Sequence, residues 1–365
     1  MSKYSDVLTA NNRSFNKPKF KIFVYSLRKN GISIIFCLFC IVLVIFSRTN
    51  LTAAKNGITL WATAVVPSLF PFFVSTELLS HTNTVSFFGK FLTPIMRPLF
   101  NVPGEAAFAF LMGLISGYPV GAKIVSNFTE DGIVTKEEAE RMLAFTNNSG
   151  PLFIIGTVGI TLFGSAEIGF LLFITHVLSC ITVGIVLRFF SKNYKNEKKL
   201  NVHNSVEGKN VSLSSLGEIL GKSITNSIST ILLIGGFVVI FSVIISILNE
   251  SGLLETVSRF LTPILSLLNF PCEFIKPILS GIVELTNGVS LVANVPIKVI
   301  STNIILCAFL LGFGGISVLL QVFSIISKSG LSIKTYIYGK LLQGIFASIY
   351  TFLALQFLPF FQFNL

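Results

Sequence analysis

Glu284 and Asn287 stand near the middle of an apolar stretch, 272–294, where the chain reads Glu284-Leu285-Thr286-Asn287-Gly288. A carboxylate at the middle of a membrane is expensive to keep, and its default reading is a functional site. There it can bind a coupling cation, take up a proton or hydrogen-bond a substrate. A matching stretch, 104–126, is interrupted at Ser116-Gly117-Tyr118-Pro119 and carries Lys123 after the break. A third interruption, Asn147-Asn148-Ser149-Gly150-Pro151, sets three polar side chains ahead of a Gly-Pro. A fourth lies near Gly312-Phe313-Gly314-Gly315. Broken helices free backbone N–H and C=O groups that are costly in hydrocarbon and useful only against a polar ligand. Half-helix N-termini also attract anions. The candidate substrate-binding residues are therefore Ser116, Gly117, Tyr118, Lys123, Asn147, Asn148, Ser149, Glu284, Thr286, Asn287 and Gly288.

Structural readings stand beside these. Glu284 and Lys123 can form an ion pair, and Lys123 can instead be a topological anchor that snorkels to the membrane surface. Tyr118 and Pro119 can simply shape the first break, and Asn147, Asn148 and Ser149 can cap the second. His176 and Gln343 occupy near-equivalent helical positions, where a satisfied core role competes with proton relay. Glu77, Glu105 and Glu273 lie near helix ends and read as interface or dipole-stabilising residues. No enzyme is expected. Gly217-Glu218-Ile219-Leu220-Gly221-Lys222-Ser223 has three residues between its glycines where a phosphate-binding loop needs four. No HExxH or GxSxG occurs, and the three histidines are scattered. No cofactor or metal is expected, and Na+ or H+ is the candidate coupling ion.

The elements that must position these residues follow from composition. Of 365 residues, 52% are hydrophobic and 12% charged, with a mean hydropathy of +0.80. Ordinary soluble proteins carry roughly 25% charged residues, so a soluble enzyme is excluded. Uncharged runs cover 31–47, 142–166, 168–187, 223–249 and 299–327, and a helix needs about 20 apolar residues to cross a bilayer. The net charge of +11 reports orientation, not nucleic-acid binding: seven Lys or Arg fall in the first 30 residues and seven in 188–222, both cytoplasmic under the positive-inside rule. Ser47-Arg48-Thr49-Asn50 after the first apolar run favours a retained helix over a cleaved signal. Cys37 and Cys40, without a second pair or a nearby His, read as packing residues.

The chain repeats itself. Phe91-Leu92-Thr93-Pro94-Ile95 recurs as Phe260-Leu261-Thr262-Pro263-Ile264, and Pro103, Glu105 and Gly113 match Pro271, Glu273 and Gly281. Each copy orders a crossing helix (58–80; 226–248), an amphipathic segment (86–100; 254–268), an interrupted hairpin (104–126; 272–294), a second interrupted helix (140–163; 299–327) and a closing helix (167–190; 335–357). Three crossings per copy put the second copy upside down. With the N-terminus inside, 22 Lys or Arg lie inside and five outside. The expected organisation is a basic cytoplasmic N-terminus (1–30), a first transmembrane helix (31–47), repeat 1 (57–190), a basic cytoplasmic linker (191–223) and repeat 2 (224–357). The fold class is an all-α polytopic membrane protein of about seven transmembrane helices plus two re-entrant hairpins in two inverted repeats, the pattern of secondary transporters. A membrane scaffold that has lost transport is the reading from another class.

The segments Leu114-Ile115-Ser116-Gly117-Tyr118-Pro119-Val120-Gly121-Ala122-Lys123, Asn147-Asn148-Ser149-Gly150-Pro151, Leu60-Trp61-Ala62 with Pro67-Ser68-Leu69-Phe70-Pro71, and Glu284-Leu285-Thr286-Asn287-Gly288 resemble the family of the sporulation integral membrane protein YlbJ (SpoVV). That family contains the nucleoside-recognition gate domain and is similar in architecture to concentrative nucleoside transporters. The resemblance covers about residues 55–357. It implies transport of dipicolinic acid from the mother cell across the outer forespore membrane, with lipid around the protein, no nucleic-acid partner and a homo-oligomer as a candidate state. A nucleoside or another small solute is the alternative cargo.

Overall fold

Residues 19–190, 213–296 and 300–357 are described by a computed structural model. The expected basic segments 1–30 and 191–223 lie partly outside them, at 1–18 and 191–212. Every regular element among the described residues is helical.

The chain separates into two units, 1–51 and 52–365. In the first, α1 (Lys19–Ile45) ends one residue before α2 (Ser47–Leu60) begins. The expected loop between a helix at 31–47 and another at 58–80 is therefore helical. In the second unit, α2 continues through a π-helical turn (Trp61–Val65) into α3 (Val66–Ser80). The wide turn immediately precedes Pro67, which has no N–H to continue the α ladder, and the Val66 N–H donates to the Trp61 carbonyl instead. The lone tryptophan anchors this region. Trp61 Nε1 donates to the Ile231 carbonyl at 2.9 Å, and its ring lies on Gly235.

The amphipathic segments are α4 (Thr84–Phe100) and, in the second copy, α10 (Leu253–Ser266); α10 follows the long α9 (Leu213–Glu250). Helices α5 (Ala106–Ser116) and α6 (Val120–Glu130) form a first hairpin, and α11 (Ile275–Val283) and α12 (Leu285–Ala293) a second. Close backbone approach makes them hairpins. Gly113 lies against Gly121 across the first, both also pressed on the Thr146 carbonyl with no room for a side chain, and Gly288 lies too close to Gly281 across the second for any side chain. The next helix of each copy is broken: α7 (Lys136–Thr146) gives way at Asn147–Gly150 to a π-helix (Leu152–Leu162), and α13 (Ser301–Phe313) to α14 (Gly315–Ile326). Thr135 and Glu138 form the capping box that their spacing predicts at the start of α7. Closing helices α8 (Ala166–Phe189) and α15 (Lys334–Phe357) complete the copies and pack along each other.

Polarity runs inside out. Phe170, Ile174 and Leu178 on α8 are exposed, as are Ile337, Leu341, Ile345 and Ile349 on α15. The opposite face of α8 buries Thr175, His176 and Ser179. A stripe of exposed apolar residues over a buried polar face is the pattern of a helix facing lipid, since polar groups inside a bilayer must turn to protein or a wet cavity. By length and composition four helices suffice to cross a membrane, Ala166–Phe189, Leu216–Glu250, Ser301–Ile326 and Lys334–Phe357, or up to five if Asn30–Ile45 and Ser47–Thr63 count as one bent span. That is fewer than the seven expected. The π-turn divides 58–80, and the break at Asn147 divides 140–163.

The hairpin contacts give a direct test. Gly288→Ala drives a methyl group into the Gly281 backbone, and overpacking of this kind costs about 1–3 kcal/mol. Gly236→Ala, with open space around the same carbon, gains up to about 1 kcal/mol of helix propensity. Thermal unfolding in detergent is expected to move down for the first and to hold or rise for the second.

Candidate functional site

The four interruptions meet. At the first hairpin tip Gly117 (φ +84°) lies against Gly150 of the second break. Tyr118 reaches the fourth break, where its hydroxyl lies 3.4 Å from the Leu311 carbonyl and faces Gly314. On the next residue, Gly315 packs against the Leu285 amide at the tip of the second hairpin. The Gly314–Gly315 pair, both at positive φ, thus lets one hairpin approach from each side. Tyr118 packs against both of the large hydrophobic cores.

The two hairpin tips satisfy their half-helices differently. Glu284 caps α12: its Oε1 accepts from the Thr286 amide at 3.0 Å and its Oε2 from the Asn287 amide at 2.8 Å. Asn287 Nδ2 donates to Ser280 Oγ at 3.0 Å. A carboxylate therefore already occupies the helix N-terminus that would attract an anion. In the first hairpin a neutral group serves: Asn147 Oδ1 accepts from the Ala122 amide at 3.4 Å. Thr286 contributes its backbone N–H, and Gly288 the close approach described above.

Around Asn147 and Asn148 lies a fully buried polar network. Asn147 Nδ2 donates to the Tyr336 hydroxyl at 2.8 Å. Lys340 Nζ, at 0% exposure, donates to the Asn147 carbonyl, to Gln343 Oε1 at 2.7 Å and to Asn148 Oδ1 at 3.4 Å. Gln343 Nε2 donates to Asn148 Oδ1 at 2.9 Å and lies 3.4 Å from His176 Nε2. The near-equivalent positions of His176 and Gln343 thus bring them together across α8 and α15. Ser149 is buried beside them, and the Ser116 and Thr146 hydroxyls are buried without a hydrogen-bond partner among the described residues.

Lys123 is placed apart from this network. Its ion-pair partner is Glu77 at 3.5 Å, where an ion pair with Glu284 was the expected alternative. Lys123 Nζ also donates to Thr230 Oγ1 at 2.8 Å and to the Asn226 carbonyl at 3.3 Å. Asn226 Nδ2 donates to Glu77 Oε1 at 2.7 Å. Glu77, in the last turn of α3, is therefore an ion-pair member there. The pair lines a cavity of about 270 Å³ with Phe73, Asn127 and Asp131. Burial and the neighbouring Glu130 raise the Asp131 carboxyl above its ordinary value.

Sequence reasoning missed Lys340 and Tyr336. Lys340 was one of 22 basic residues assigned to the cytoplasmic side, yet it is fully buried in the protein. Its position inside the apolar stretch 335–357, three residues before Gln343, was the available signal.

The chain matches the Gate family, described as nucleoside recognition, over residues 62–193 and 231–330. It is 36% identical to the sporulation integral membrane protein YlbJ of Bacillus subtilis (strain 168) over 317 residues, 84% of this chain and 78% of that protein. It is 25% identical to the uncharacterized membrane protein YvoD of the same organism over 252 residues, 67% of this chain and 73% of that protein. No solved structure matches it.

Two outcomes follow from the contacts. Glu284→Ala strands two helix-terminal amides, at a cost of about 0.5–2 kcal/mol; Glu284→Gln keeps one acceptor and costs less, as read by unfolding in detergent. For Glu77 and Lys123, a double-mutant cycle with Glu77→Gln and Lys123→Met is expected to give a coupling of about 0.5–3 kcal/mol.

Proposed function

The chain belongs to the nucleoside-recognition Gate family, and on that premise we propose that it is a secondary transporter of a small organic anion across a bacterial membrane. It is an integral membrane protein with a sporulation membrane protein as kin. One observation carries the reading: four helix breaks meet in succession, and the first two lie beside a buried ammonium, Lys340, that no carboxylate pairs among the described residues. A desolvated positive charge and stranded hydroxyls at unwound backbone favour a ligand with negative charge and several acceptor oxygens. Dipicolinic acid, a small aromatic dicarboxylate, is the cargo the family resemblance implies, moved from the mother cell across the outer forespore membrane.

In this proposal the two hairpins are re-entrant and the two copies inverted, with seven crossings and the N-terminus in the cytoplasm. The cavity at Glu77 and Lys123 then opens on the cytoplasmic side as an approach to the first hairpin. Cargo contacts come from Ser116, Tyr118, Asn148 and Ser149. Glu284, with an anionic cap already in place, is the group that takes a proton or coupling cation. Access alternates as the hairpin-bearing segments move against the helices around them. Like the transport itself, the absence of catalysis is part of the proposal: among the described residues no nucleophile and base are paired in the site.

A nucleoside is the second reading, favoured by the family's description. Uptake into proteoliposomes containing the purified chain separates the two, with labelled dipicolinate, uridine and adenosine measured in parallel. Saturable dipicolinate uptake that falls at least tenfold, about 1.4 kcal/mol, in Asn148→Ala and in Glu284→Gln is expected. Uptake of nucleosides alone would overturn the cargo and keep the architecture. No uptake of any of the three by folded protein would favour a scaffold.

A further inference from the structure

The ammonium of Lys340 has three donors, and three oxygens take them: the Asn147 carbonyl, Gln343 Oε1 and Asn148 Oδ1. Above and beside it lie the rings of Tyr118 and Tyr336, with centroids at 5.2 and 5.6 Å. With all three donors taken, the ammonium acts on an anionic cargo through its field and not through a direct hydrogen bond. The shell has another chemistry. A backbone carbonyl freed by an unwound helix, two amide oxygens and two aromatic faces make the environment that a desolvated monovalent cation takes in transport proteins with discontinuous helices.

We infer that Lys340 is a built-in cation: its ammonium fills a monovalent-cation site at the Asn147–Asn148 break, so that this break needs no Na+. Every element packed around the group agrees with that assignment. Helix α8 brings His176 and Cys180, the first hairpin brings Tyr118, and α15 itself brings Tyr336 and Gln343. None of these is a carboxylate, and no ion pair reaches Lys340 among the described residues. A lysine that only clamped the break by packing would need its stem, whereas a cation site needs the charge at the far end. If this site is permanently filled, the exchangeable proton or ion acts elsewhere, with Glu284 the carboxylate on the opposite hairpin. The role of that exchangeable ion rests on the transporter reading. The test measures stability alone, so its failure leaves that reading standing.

The test uses the full chain purified in detergent. Thermal midpoints are measured in sodium, choline and ethylammonium chloride at equal ionic strength. Wild type is expected to have one midpoint in all three. Lys340→Ala opens the site; its midpoint is expected to fall in choline and to recover at least half of the loss in sodium or ethylammonium. Lys340→Met, which refills the space with an uncharged stem, is expected to be destabilised and indifferent to the cation. A wild type stabilised by sodium over choline would overturn the inference, as would an Ala variant that behaves alike in all three salts. If the Ala variant gives folded protein only when purified in sodium or ethylammonium, the inference stands; if none of the salts yields it, the inference falls.

Discussion

Peptide groups without partners are the costliest feature a membrane-embedded chain can carry, and this protein places four helix interruptions inside an apolar body. Each stranded N–H or C=O must find an acceptor or donor within the fold, because lipid supplies none. The result is a set of paired solutions. Asn147 serves the first hairpin's second helix and Glu284 the second's. The Asn147 carbonyl, released by the break, accepts a hydrogen bond from Lys340. The breaks lie against one another because their polar groups have nowhere else to go.

That constraint explains the distribution of charge. Two carboxylates at the hairpins are already engaged, Glu77 with Lys123 and Asn226 and Glu284 with two backbone amides. Lys340 is held by oxygens that carry only partial charge. The interior of the first break is therefore electropositive and that of the second hairpin electronegative. A pseudo-repeated scaffold has been made chemically asymmetric by a few side chains, which is what a transporter needs if cargo and coupling ion are to be recognised on different elements.

Much of this was legible in the linear chain. The breaks at Gly117–Pro119, Asn147–Pro151, Glu284 and Gly314 stand where Gly, Pro and polar residues interrupt apolar runs, and the structure interrupts its helices there. The capping box at Thr135 and Glu138 was readable for the same reason: its partners are three residues apart and its chemistry is local. Elsewhere local signals misled. Arg48 and Lys55 stand in the expected loop between two spans, yet the chain is helical from Ser47 to Ser80; Arg and Lys are themselves good helix formers, so charge alone did not mark a loop. For Lys123 an ion pair with Glu284 was the structural alternative to a site role, and Glu77, 46 residues away in sequence, is the partner instead.

The sequence by itself determined that this is a helical membrane chain, where its helices must break and which polar residues sit at the breaks. These are properties of composition and of neighbours within a few turns. Only the tertiary structure decided which break meets which, that Lys340 and not Lys123 lies at the centre, and that His176 faces Gln343. Those outcomes depend on how α8, α13 and α15 pack, since residues 150 to 200 positions apart become partners only when the helices carrying them choose their faces. Burial then decides the chemistry: a lysine counted as a surface charge along the chain becomes an interior cation once three oxygens and two rings close around it.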